Sequence, residues 1–278
     1  MSFLHGIKYI DTAGVAHGFI DNAGAPQICS QDYLMAVAEG DITGHTPFSK
    51  YGIVTDVNNT LKDVWEYGTT TALYVFPATA GERMRVVGAA ADAAAGVGAS
   101  KIKIDYLDET NTAKTEEVTL TGATPVNTTA TKIRRINRIY VSALGATNTT
   151  GTCTGPISVY HFTEAAPIYA YIGAGNTQSR QLIYTVPLGK TLYITSTRFS
   201  AGVGGNAIKL NFCKFTIRST IDPITGALST IWYPLNEIGL VQNAFILPHE
   251  MPTKIPATAD FKVSVIGDYA SGATNVTA

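Results

Sequence analysis

The amino-acid sequence predicts an all-β protein. It divides into two antiparallel β-sandwich, jelly-roll-like modules over residues 46–165 and 166–278, preceded by an extended arm over residues 1–45 with one short helix. Three observations predict this. From about residue 46 apolar side chains recur with a period of two, Gly-, Thr- and Pro-rich turns separate the periodic stretches, and no helix-length amphipathic segment follows residue 70.

In the arm, Gly14, Gly18, Gly24 and Pro26 break any period up to Gln27. The next stretch predicts the helix. Ser30 supplies an N-cap hydroxyl, Tyr33, Leu34 and Val37 form an apolar stripe, and Gly40 suits the left-handed residue past the end. The arm sets Lys8 against Asp11, Asp21, Asp32, Glu39 and Asp41, so it is acidic.

The strands follow in order. Met84 to Val87 begins one, and Lys101-Ile102-Lys103-Ile104-Asp105-Tyr106 alternates with its apolar residues on one face. After a turn at Asp108 to Asn111, Glu117-Val118-Thr119-Leu120 pairs a Glu-bearing face with the Lys-bearing one. Ile133 to Ala143 and Ile157 to His161 complete the first module, and Ala165-Ala166-Pro167 marks the boundary. The second module reads as Leu182 to Val186, the turn Pro187-Leu188-Gly189, Thr191 to Phe199, Ile208 to Arg218, Leu228 to Tyr233, Ile238 to Leu247 and Phe261 to Ile266. A change of phase at Cys213-Lys214 predicts a β-bulge. Pro248, Pro252 and Pro256 keep their segment out of a central strand.

Composition limits the function. The 278 residues carry 20 Lys and Arg and 21 Asp and Glu, or 15% charge, against about a quarter in ordinary domains. Thr (37), Ala (34) and Gly (26) take the place of the missing charge. A net charge of −1 without a long basic stretch argues against nucleic-acid binding. No stretch is long and apolar enough to span a bilayer as a helix. The N-terminus lacks the basic and apolar regions of a signal peptide, which predicts synthesis in the cytosol. Cys29, Cys153 and Cys213 are odd in number and irregularly spaced, which predicts free thiols.

Candidate chemistry is sparse. Gly96-Val97-Gly98 precedes a strand, so it lacks the helix N-terminus of a phosphate loop. His5, His17, His45, His161 and His249 are scattered, and Asp105, Asp108 and Glu109 lack the rest of a calcium loop. Glu116 and Glu117 point to opposite faces of a strand and cannot act as an acid–base pair. The sequence therefore predicts no catalytic, cofactor-binding or metal site. Tyr169, Tyr171 and Tyr184 raise the alternative of a sugar-binding surface. Lys132, Arg134, Arg135 and Arg138 form the one basic cluster, on a strand where Arg134 and Arg138 share a face with Ile136; the acidic arm of another copy is a candidate partner.

The order of several motifs resembles a group of tailed-bacteriophage virion proteins. Lys50-Tyr51-Gly52 precedes Asp63-Val64-Trp65-Glu66-Tyr67-Gly68, then Tyr74-Val75-Phe76-Pro77. Asp92, Gly96-Val97-Gly98-Ala99 and Glu117-Val118-Thr119-Leu120-Thr121-Gly122 come next, followed by Tyr184-Thr185-Val186-Pro187-Leu188-Gly189-Lys190-Thr191 and Pro256 to Asp260. Each motif is weakly specific turn chemistry, and the resemblance runs from about residue 44 to 267. It implies a non-enzymatic structural protein made in the host cytoplasm and located in the virion. Specifically, it implies a capsid decoration or cement protein that binds the major capsid protein and copies of itself, by analogy as a trimer. The alternatives it leaves open are a neck, tail or baseplate fibre-adaptor component and a carbohydrate-binding module used in host adsorption.

Overall fold

The structure is a computed structural model. It describes residues 30–69, 72–203, 212–240, 244–268 and 274–277, together with four two-residue strands before residue 30. Half of the chain is strand and 4% is helix, so the all-β reading holds. Two compact units divide at Ser49 and Lys50.

The first unit contains two small antiparallel pairs, β1 (Tyr9–Ile10) with β2 (Ala16–His17) and β3 (Phe19–Ile20) with β4 (Pro26–Gln27), followed by α1 (Ser30–Glu39). The helix ends as its sequence requires. Gly40 takes φ of 85°, its N–H reaches Val37 O at 3.2 Å, and Asp41 N reaches Ala36 O at 2.9 Å.

The second unit holds two sandwiches. The first stacks two sheets. One contains β7 (Met84–Val87), β10 (Val126–Asn127), β12 (Ile157–His161) and β13 (Ile168–Ile172), in the order β10-β7-β12-β13. The other contains β8 (Ala99–Asp108), β9 (Ala113–Thr119) and β11 (Ile133–Leu144), in the order β11-β8-β9. Alternation decides which side chains go inward. Met84 and Val86 from the first sheet meet Ile102, Ile104 and Ile139 from the second, all fully buried. At ~25 cal/mol per Å2, each such side chain contributes about 2 kcal/mol.

The second sandwich draws on both halves of the chain. β5 (Ile53–Val54) and β20 (Thr274–Thr277) join β15 (Leu192–Val203) and β18 (Ala244–Ile255) in the order β18-β15-β20-β5. Facing them are β14 (Ile183–Thr185), β19 (Asp260–Gly267), β16 (Cys213–Ile221) and β17 (Leu228–Leu240), with β6 (Lys62–Asp63) also paired to β19. Val54, Phe199, Phe215, Ile217, Val263 and Val265 fill the space between the sheets. Phe199 and Phe215 lie 4.6 Å apart, centroid to centroid.

The cores do not part cleanly at Pro167, because Tyr169, Ala170 and Ile172 belong to the first core and Val54 and Val64 to the second. An aromatic seam links them. Trp65 meets Tyr74 edge-on at 5.1 Å, Tyr74 meets Phe76 at 4.9 Å, and Phe76 stacks on Trp232 at 5.9 Å.

Two local readings change. No bulge occurs at Cys213–Lys214, since Cys213 faces Leu240 and Lys214 faces Gly239 in unbroken register. The phase of the preceding residues lies outside the described residues. Leu228 to Tyr233 and the start of Ile238 to Leu247 are one strand, β17. Pro248 and Pro252 lie within β18, an edge strand, and so stay out of a central strand as expected.

Candidate functional site

The glycine motif at residues 96–98 turns out to wrap a carboxylate. Asp92 is fully buried, and four peptide N–H groups donate to it. Ala99 (2.8 Å) and Thr154 (2.9 Å) reach Oδ1, while Ala89 (3.1 Å) and Gly155 (3.2 Å) reach Oδ2. A Cβ on Gly98 would lie 2.0 Å from Asp92 Oδ1, so the carboxylate's position demands glycine there. The anion is satisfied by backbone and has no coordination left for a ligand. Spacing alone could not reveal this, because Thr154 and Gly155 are some sixty residues away.

The other candidates disperse. Among the described residues no group of His, Cys, Asp or Glu could hold a metal. Cys153 and Cys213 are buried free thiols, and burial pushes Cys213 up to about 11, away from nucleophilic chemistry. Glu117 binds Lys101 at 2.8 Å and Ser142 at 3.1 Å, whereas Glu116 takes the N–H groups of Thr129 and Ala130. The two carboxylates thus serve different neighbours, as the strand period implies. His161 sits 2.9 Å from the Thr163 hydroxyl through Nδ1 and 3.7 Å from Glu82 through Nε2. The side chains of His5, His17, His249 and Cys29 lie outside the described residues.

The turn at Asp108 is closed on itself. Asp108 Oδ1 accepts from the Thr110 N–H and hydroxyl and from the Thr112 N–H, and Oδ2 pairs with Lys114 at 2.8 Å. Burial works to raise this acid, but the bonds from Lys114, Thr110 and Thr112 outweigh it and hold the carboxyl well below its ordinary range. An open cleft of about 250 Å3 beside it is lined by Tyr106, Glu109, Lys114 and Lys132. Its mixed charge selects no one ligand class.

The tyrosines do not form a platform. Tyr169 is 5% exposed, Tyr171 packs against Tyr67 at 5.1 Å, and Tyr184 lies against the second core. The basic cluster also separates. Register shifts at Ile133/Arg135 and Ile136/Arg138 put Ile136 in the core while Arg138 is exposed, so the two do not share a face. Arg135 is committed to Asp260 through a two-pronged pair, both contacts 3.0 Å, and lies over the Phe76 ring. Arg138 bonds Gln178 and covers Tyr140.

What remains is an apolar surface at the β16–β17 hairpin, which the sequence reading missed. Asp222 builds the turn. Its side chain accepts from Ile224 N at 2.8 Å and Thr225 N at 3.3 Å, its carbonyl accepts from Gly226 N at 2.8 Å, and Gly226 takes φ of 69°. This lifts Ile224 to 92% exposure. Beyond the turn the register jumps, so β17 places four residues between Leu228 and Tyr233 where β16 has only Thr220. The bulge turns Ile231 outward at 59% exposure, while Trp232 stays inward against Phe76 and under the Lys262 ammonium. Leu228, 55% exposed, joins the same strand, whose outer edge pairs with no described strand. Proteins ordinarily guard such edges with charge, and β17 carries only Glu237.

No family model, no curated protein and no solved structure matches this chain. No helix among the described residues is long and apolar enough to cross a membrane.

Proposed function

We propose that this chain is a non-enzymatic structural protein of a tailed-bacteriophage virion, acting as a decoration or cement protein on the major capsid lattice. The observation that carries the reading is the β16–β17 hairpin. Its turn is rigidly hydrogen-bonded, yet it presents Ile224, Leu228 and Ile231 to solvent. Exposed side chains of this size on one hairpin suit a contact surface, and contact cores are depleted in charge, as this whole chain is. The ordered motifs from Lys50 to Asp260 support the same reading.

The test is to purify the particles and measure this chain against the major capsid protein by quantitative gel densitometry. A decoration protein is present on the order of hundreds of copies per particle, following the symmetry of the shell. A count of about a dozen would assign it to the neck or tail instead. Its absence from purified particles would overturn the virion reading.

A further inference from the structure

Lys50 opens the second unit, and its side chain runs to β11. The residue is partly buried, and its Nζ donates to the main-chain carbonyl of Asn137. Among the described residues no carboxylate pairs with it. Burial pushes the amine down to about 7, with Arg138 adding to the effect and Asp105 opposing it. At neutral pH a large share of Lys50 is therefore the free amine, the form that attacks carbonyl carbon.

The residue it touches carries a buried carboxamide. Asn137 is 8% exposed, and its side chain is held between the two backbone groups of Thr185. Nδ2 donates to Thr185 O at 2.9 Å, and the Thr185 N–H donates to Oδ1 at 2.8 Å. An N–H fixed on Oδ1 withdraws electron density from Cγ and stabilises negative charge that develops on the oxygen during attack. The amine thus sits at the main-chain carbonyl of a residue whose own carboxamide is buried and polarised.

We propose that Lys50 and Asn137 form an intramolecular isopeptide bond. The Nζ lone pair attacks Cγ, the Cγ–Nδ2 bond breaks, and a proton from Nζ leaves with Nδ2 as ammonia. Nothing is oxidised or reduced and no co-reactant is needed. The product keeps the carbonyl that accepts from Thr185 N–H, and its own N–H replaces the Nδ2 donor, so the buried hydrogen bonds have successors.

Intact-mass measurement of the purified, denatured full chain tests this directly. The bond lowers the mass by about 17 Da, the loss of one ammonia. Trypsin then fails to cut after Lys50, and the peptide containing it is recovered joined to Ile136-Asn137-Arg138. The variants Lys50→Met and Asn137→Ala restore unbranched peptides. A wild-type mass equal to that of the sequence, with Lys50 recovered entirely in linear peptides, overturns the proposal. Because the wild-type chain alone decides the matter, a variant that misfolds leaves the test intact.

Discussion

Arg135 on β11 and Asp260 on β19 form a two-pronged ion pair that joins the two sandwiches, with both nitrogen–oxygen distances 3.0 Å. Both side chains are nearly enclosed, 11% and 13% exposed, and the Asp260 carboxylate also takes the Thr185 hydroxyl. Removing one partner leaves the other charge shut away from water. Arg135→Met should therefore cost about 3 kcal/mol of unfolding free energy, readable in urea denaturation. Arg135→Lys should recover little of it, because an ammonium cannot match the fork. Equal stability of wild type and Arg135→Met would show that the pair contributes nothing.

At Gly98 the expectation rests on space. A methyl group there collides with the Asp92 carboxylate, which cannot retreat without releasing four peptide N–H groups. Gly98→Ala should destabilise the chain by about 2 kcal/mol or more. Gly151, where a Cβ would meet nothing, serves as a control for the loss of a glycine as such, although its φ of 75° adds strain of its own. A thermal melt of Gly98→Ala unchanged from wild type would remove Asp92 from its place as the organiser of these loops.

The hairpin surface separates binding from folding. Ile224 and Ile231 are exposed, so Ile224→Asp with Ile231→Asp should leave the melting temperature within a degree or two, since surface changes away from packed features cost about 0.5 kcal/mol or less. Binding to particles stripped of this protein should fall at least tenfold in a co-sedimentation assay. Undiminished binding would place the contact elsewhere.

Asp108 makes a prediction about acid. Its pKa in the folded chain is depressed, so the stability it contributes is complete above the ordinary carboxylate range and is lost as pH falls through the depressed folded value. Wild type should lose more stability between about pH 4 and pH 2 than Asp108→Asn, whose side chain no longer titrates. Parallel melting curves against pH for the two proteins would contradict this.

Local chemistry was legible in the sequence, and long-range pairing was not. The alternation at Lys101 to Tyr106, the turn at Asn111 with φ of 61°, and the helix end at Gly40 each follow from residues a few positions apart. The strand β13 was missed because it follows Pro167 directly and reads as part of a boundary. The shared face of Arg138 and Ile136 was misread because a strict period of two cannot anticipate the two register shifts between Ile133 and Arg138. Asp92 resembled any loop acid until Thr154 and Gly155 folded over it. The exposed hairpin was invisible for a related reason: Leu228 and Ile231 look like core residues, and only a register shift against β16 turns them out.

One pairing has mechanical consequences. Ile53 lies opposite Thr277 and Val54 opposite Val276, so the two ends of the second unit are neighbours on adjacent antiparallel strands. Tension applied between these ends does not load the ladder along its length. It opens the ladder from the tip, one pair at a time, like a zipper. A unit pulled in this way yields at low force, whereas the same unit pulled across β16 and β19, whose seven successive pairs lie side by side, resists by shear. The direction of load, more than its size, decides when this sandwich opens.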